Sequence, residues 1–158
     1  MIVANEVKKI ARSLSDKYYK LLLLVGASGN GKTSVINEIC SDNAYRYVNL
    51  NLALSEKLKD VPIRERGYYV QDFIDDIIRD NPGDFLVLDN IEIIFSKHLQ
   101  VEPLSILKNI GKYRKTIAAW QGSIKDGYLT YAEPWHEDYV RYNVDELECL
   151  YINMERSL

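Results

Sequence analysis

Residues 21–40 read LLLLVGASGNGKTSVINEIC, and the reading of this stretch decides the fold. Leu21 to Val25 is an unbroken apolar run that stops at Gly26, the pattern of a strand buried on both faces. Gly26 to Gly31 is a tight glycine-rich loop. Beyond it, Val35, Ile36, Ile39 and Cys40 fall at helical spacing, which predicts a helix starting at Lys32. Residues 26–33, GASGNGKT, satisfy G-x-x-x-x-G-K-[ST] without a gap. Strand, loop and helix in this order form the setting in which that spacing has physical meaning. Glycines let the backbone turn so that successive N–H groups point inward at phosphates, and the helix start adds the positive end of its dipole. The spacing therefore predicts a nucleoside triphosphate site, for ATP with Mg²⁺, built from Gly26, Ala27, Ser28, Gly29, Asn30, Gly31, Lys32, Thr33 and Ser34. Lys32 is the group for the β- and γ-phosphates, and the Thr33 hydroxyl is a hard oxygen ligand for Mg²⁺.

Such a loop needs a second metal anchor, an Asp ending a neighbouring apolar strand. Phe85-Leu86-Val87-Leu88-Asp89 fits, so Asp89 is the candidate partner of Thr33. The next residue is Asn90, where ATPases of the AAA+ type carry Glu to activate water. An amide orients water but cannot act as a base. Glu92, two residues on, is the substitute carboxylate, although a helix-start or surface role is the commoner one for such a residue. Slow hydrolysis follows as the expectation. Gln121, at the end of the apolar run Ile117–Trp120, stands where a γ-phosphate sensor would be.

Outward from the loop, Val3, Val7, Ile10, Ala11 and Leu14 predict an amphipathic helix. Val48, Leu50, Leu52 and Leu54 alternate with Asn49, Asn51 and Ala53 and predict a half-buried strand near a sheet edge. Tyr69, Val70, Phe73, Ile74, Ile77 and Ile78 form a helical stripe stopped by Asn81-Pro82-Gly83. Leu104, Leu107 and Ile110 suggest a helix closed by Gly111. Gly122 and Gly127 bracket a turn, and Tyr128–Ala132 and Tyr139–Val144 look strand-like. Asp145 is positioned to cap a last helix to about Met154. Between Trp120 and Tyr128 there is no room for a crossover helix, so Tyr128–Ala132 is expected to run antiparallel to the strand before it. The remaining strands alternate with helices. The fold class is thus α/β, a three-layer P-loop NTPase core of AAA/RecA type with a mostly parallel sheet. It is expected as one domain over residues 1–158 without a C-terminal helical lid.

Composition removes other classes. The hydrophobic fraction of 47% and charged fraction of 27% are those of a soluble globular chain, and no run is long enough to span a membrane. A cytoplasmic location is expected. Net charge is -3, which disfavours a general polyanion binder. Lys108, Lys112, Arg114 and Lys115 cluster within residues 108–115, where a solvated helix end is favoured over a nucleic-acid patch. Arg64, Arg66, Arg114 and Arg141 are conceivable trans-acting arginines for a neighbouring subunit. Cys40 and Cys149 have no metal or redox spacing. A GTPase would need an N-K-x-D segment, which is absent.

The order of the phosphate loop, Asp89-Asn90-Ile91-Glu92-Ile93-Ile94-Phe95, Trp120-Gln121-Gly122 and Gly127-Tyr128-Leu129-Thr130-Tyr131-Ala132-Glu133-Pro134 resembles BrxF, the small P-loop family of type 3 BREX phage-defence systems in bacteria. Trp120–Pro134 is its more distinctive part. The resemblance implies nucleotide binding at Gly26–Thr33 with the acidic strand at Asp89. It also implies an ATPase-like role beside other BREX proteins. A homo-oligomer is expected, because AAA-like sites lie between subunits and no arginine in the same chain is evident. The alternative is a nucleotide-gated interaction module with little hydrolysis, favoured by Asn90, with nucleic acid as a further partner.

Overall fold

The structure, a computed structural model, describes residues 4–27, 29 and 31–155. Val3, Ser28 and Asn30 lie outside them. The elements in chain order are α1 (Ala4–Arg12), β1 (Leu21–Gly26), α2 (Lys32–Ile39), β2 (Tyr45–Asn49), α3 (Leu50–Leu58) and α4 (Arg66–Arg79). There follow β3 (Phe85–Asp89), α5 (Pro103–Tyr113), β4 (Lys115–Lys125), β5 (Tyr128–Tyr131), β6 (Val140–Asn143) and β7 (Leu150–Asn153). The parallel sheet has the order β2-β3-β4-β1-β7. β5 extends β4 antiparallel, and β6 pairs with β5.

Two apolar layers follow from strand alternation. Leu21, Leu23 and Val25 of β1 join α3, α4 and α5 in one cluster, with Leu86 and Leu88 of β3 and Ala118 and Trp120 of β4. Leu22 and Leu24 face the opposite layer with α1 and α2. Every residue of Leu21–Val25 has 0% exposure, as the unbroken apolar run predicts. The three-layer, mostly parallel architecture read from the sequence is the one observed.

Four local expectations change. The strand foreseen over Val48–Leu54 ends at Asn49, and Leu50 begins α3. Leu50, Leu54 and Leu58 recur every fourth residue and are all buried, so a period of two and a helical period coincide there. Asn49 decides between them, because its side chain accepts the Leu52 N–H and caps the helix.

Gly111 does not end α5, which continues to Tyr113. It marks a close approach: a Cβ there would stand 3.2 Å from Leu21 Cβ and 3.3 Å from the Lys20 backbone. Gly122 lies inside β4, and the hairpin turn is Asp126-Gly127, both with positive φ. The helix expected from Asp145 is a single 3-10 turn, Val144–Glu146, and the chain then runs extended as β7. β1 is buried along its whole length, so its backbone groups need partners on both edges. β7 supplies them opposite β4, and Met154 N–H donates to Val25 O at 2.8 Å.

β5 is antiparallel to β4, as the short connection requires. Cys40 and Cys149 are free, and burial pushes their thiols up to about 11 and about 12. Both are therefore poor nucleophiles at neutral pH. Among the described residues no helix is long and apolar enough to cross a membrane.

Candidate functional site

The parallel strands point their C-terminal ends to one edge, where Gly26 pairs with Gln121 and Asp89 ends β3 nearby. Open α/β sheets form their crevice at that edge. The loop leaves β1 at Gly26, and Gly29 and Gly31 have φ of 88° and 85°. A side chain would be strained at that φ, so the glycines allow the turn. α2 then starts at Lys32 with its N-terminus at the loop.

Lys32 is buried. Its Nζ donates to Gly26 O at 2.5 Å and to Ala27 O at 2.8 Å. Burial lowers its pKa, opposed by the charges of Asp89, Glu155 and Glu92. The ammonium is thus held inside the loop by carbonyls that a phosphate oxygen can replace. Ala27 N–H donates to a Glu155 carboxylate oxygen at 3.1 Å, which ties the loop to the turn just after β7.

Asp89 has both oxygens engaged. One accepts the Asn90 N–H at 2.9 Å and the other accepts the Tyr47 hydroxyl at 3.1 Å. Asn90 takes a positive φ of 50° and turns the chain away from the strand. The following segment is clamped by Asn51 at the start of α3. Asn51 N–H donates to Asn90 O at 2.8 Å, and Asn51 Oδ1 accepts the Ile93 N–H at 2.7 Å. Asn51 Nδ2 also donates to Glu92 Oε1 at 3.4 Å. The direction of Glu92 is therefore fixed by a side chain from another element. Burial raises its pKa, aided by the Asp89 charge and opposed by hydrogen bonds from the Ile91 and Glu92 backbone and from Asn51.

These groups line one cleft of about 530 Å³, which brings together Lys32, Thr33, Asp89, Asn90, Glu92 and Gln121. Gly29, Gly31 and Ser34 line it too, whereas Ser28 and Asn30 lie outside the described residues. A Thr hydroxyl and a carboxylate in the same cleft are the hard oxygen donors that Mg²⁺ takes. None of the four candidate arginines lines it. Arg114 donates instead to Ile78 O and Asn81 O, closing the C-terminal end of α4. Within 108–115, Lys108 pairs with Glu148 and Lys115 with Asp84. Most of that basic cluster therefore has partners inside the chain.

Nothing in the sequence alone assigns Tyr47, Asn51 or Glu155 to the site. Asn51 sits in a stretch whose alternation reads as strand, and no local pattern marks the other two.

The model of the family described as "ATPase family associated with various cellular activities (AAA)" matches residues 22–112. No curated protein sequence matches the chain. Among solved structures, "Structure of C. elegans PCH-2" is similar with a TM-score of 0.40 and 18% identity, over 73% of this chain and 36% of that one. The chain thus corresponds to little more than a third of that protein's length.

Proposed function

Because the chain belongs to the AAA family of ATPases, we propose that it binds ATP at Gly26–Ser34 and hydrolyses it slowly. The observation that carries this reading is the convergence of Lys32, Thr33, Asp89 and Glu92 in one cleft. Lys32 exchanges its carbonyl partners for β- and γ-phosphate oxygens. Thr33 and Asp89 would hold Mg²⁺, which supplies charge neutralisation at the phosphates. Tyr47 keeps Asp89 oriented from the neighbouring strand. Glu92, steadied by Asn51, takes the proton of the water that attacks the γ-phosphorus as the bond to the β-phosphate oxygen breaks. Gln121 lies within reach as the γ-phosphate sensor.

Glu92→Gln tests this assignment. ATP binding by calorimetry should stay within about threefold, while phosphate release falls by about 100-fold or more, the usual worth of a positioned base. The wild-type rate should also fall on acidification at a higher pH than an ordinary glutamate would dictate. The sign follows from the raised pKa: burial favours the neutral acid, so the carboxylate needed as base is lost earlier on the way down. Equal phosphate release from wild type, Glu92→Gln and Asp89→Ala would favour the second reading, a nucleotide-gated module with little hydrolysis. Asn90, at the position after Asp89, is the observation behind that reading.

At the level of biology we propose a component of a bacterial BREX anti-phage system, cytoplasmic and oligomeric, acting with other proteins of that system. The motif order from the phosphate loop to Trp120–Pro134 supports it. A cleft with no arginine among its described lining residues is consistent with completion by a second copy.

A further inference from the structure

The end of the sheet opposite the phosphate loop carries a separate group of cations and rings. Lys20 leads into β1, and Lys112 and Tyr113 end α5 just before β4. β1 spans six residues, so this edge lies about 20 Å from Gly26. Gly111 fixes how the two segments meet. Its missing side chain lets α5 settle against Lys20, whose N–H donates to Gly111 O at 2.7 Å. From β4, Thr116 N–H donates to Lys20 O at 2.8 Å. Residues 17–20, distant in sequence, are thereby held beside the C-terminal turn of α5.

A cleft of about 600 Å³ opens at this junction, lined by Lys17, Tyr18, Lys20, Lys112 and Tyr113. Asp16 is the one carboxylate among its described lining residues, against three ammoniums. A groove of about 360 Å³ shares Lys112 and Tyr113 and continues toward Asn109 and Arg114. Tyr18 is 70% exposed and Tyr113 is 88% exposed. Tyr18 stands edge-on to Tyr19 with ring centroids 4.8 Å apart, and the Lys112 ammonium lies 5.9 Å from the Tyr18 centroid. Tyr18 is thus braced while most of its surface stays in water. Among the described residues, Lys17, Lys20 and Lys112 have no carboxylate partner. Lys108 and Lys115 are paired inside the chain, so the free cations here arise from the fold, which sets Lys112 beside Lys17 and Lys20.

Cations interleaved with open aromatic rings suit an unpaired nucleic-acid strand. Lysines neutralise its phosphates, and rings stack on its bases. A duplex keeps its base faces enclosed and leaves both rings unused. The net charge of -3 argues against polyanion binding over the whole surface, not at an edge where three cations face one carboxylate. We propose that this edge binds single-stranded nucleic acid, with phosphates on Lys17, Lys20 and Lys112 and bases stacked on Tyr18 and Tyr113. The site is separate from the nucleotide cleft and stands whether or not ATP is hydrolysed.

Fluorescence anisotropy of the whole chain with labelled single strands of about 12 nucleotides, one DNA and one RNA, tests it. At least one strand should bind, and more tightly than a duplex of equal length. The logarithm of its affinity should fall against the logarithm of salt concentration with a slope of about -2, as three phosphate contacts on a single strand dictate. Replacing Lys17, Lys20 and Lys112 together by glutamine should flatten that slope toward zero. Tyr18→Ala and Tyr113→Ala should each weaken binding about tenfold and leave the slope as it is. Thermal unfolding checks that each variant is folded. Excess Mg·ATP should not displace the strand, because the two sites lie at opposite ends of β1. The proposal is overturned if neither strand binds, if the duplex binds as tightly, or if Mg·ATP displaces the strand. It is equally overturned if the tyrosine variants match wild type, or if phosphatidylserine vesicles bind where the oligonucleotides do not.

Discussion

Replacing Lys32 by alanine is expected to abolish nucleotide binding while the chain stays folded. Its ammonium is buried and, among the described residues, donates to two loop carbonyls. With nucleotide bound these become contacts to anionic oxygens, each worth about 1.5–3 kcal/mol as a hydrogen bond to a charged group. Two such bonds correspond to roughly 100- to 10,000-fold in affinity. The folded chain loses little, because burial already disfavours the charged form of this lysine. Calorimetry with Mg·ATP reads the first effect and thermal unfolding the second. Binding within tenfold of wild type would remove the phosphate-loop account altogether. If the defence role proposed above is right, the same variant also loses protection in a phage-plating assay.

Gly122→Ala is expected to be the most destabilising single-methyl change in the hairpin. A Cβ at Gly122 would stand 1.9 Å from Thr130 O and 2.9 Å from Trp120 Nε1. Neither can step aside cheaply. Thr130 O belongs to the backbone of the paired strand, and it accepts the Trp120 indole N–H at 3.0 Å. Trp120 is fully buried, with Phe95 and Tyr142 edge-on to it. Overpacking of this kind costs about 1–3 kcal/mol, and an orphaned indole N–H adds about as much. A melting temperature lower by roughly 10 °C should result for a chain of this size. Gly127→Ala is the control. It has a φ of 81° but nothing within 4 Å of its added Cβ, so only the strained turn is felt, at about 1 kcal/mol. Equal melting temperatures for the two variants would show that the close approach at Gly122 is absent.

The parts of the molecule legible in the sequence are those whose physics is local. The loop needs glycines at fixed intervals before a lysine, and a strand buried on both faces needs an unbroken apolar run. Residues 21–40 carry both requirements within themselves. The antiparallel step after β4 was also legible, because the short stretch between Trp120 and Tyr128 cannot hold a crossover helix. The misread parts depend on distant partners. Leu50 and Leu54 suit either a strand or a helix, and the capping bond at Asn49 breaks the tie. Leu150–Asn153 becomes strand because β1 has an open edge there, a fact held in residues 21–26. Glu92 has the same character. Its side chain is aimed by Asn51, from an element the sequence pattern disguises as something else.

β7 carries a consequence for biosynthesis. It pairs Leu150 with Leu22 and Asn153 with Val25, joining the last strand to the first. A ribosome delivers β1 long before β7. Until Leu150–Asn153 emerges, the nascent chain shows the unpaired rim of an all-apolar strand, a template for association with other chains. The phosphate loop springs from that same strand, so cellular nucleotide cannot shepherd the early stages. Competence to bind should arrive late and abruptly, with closure of the sheet.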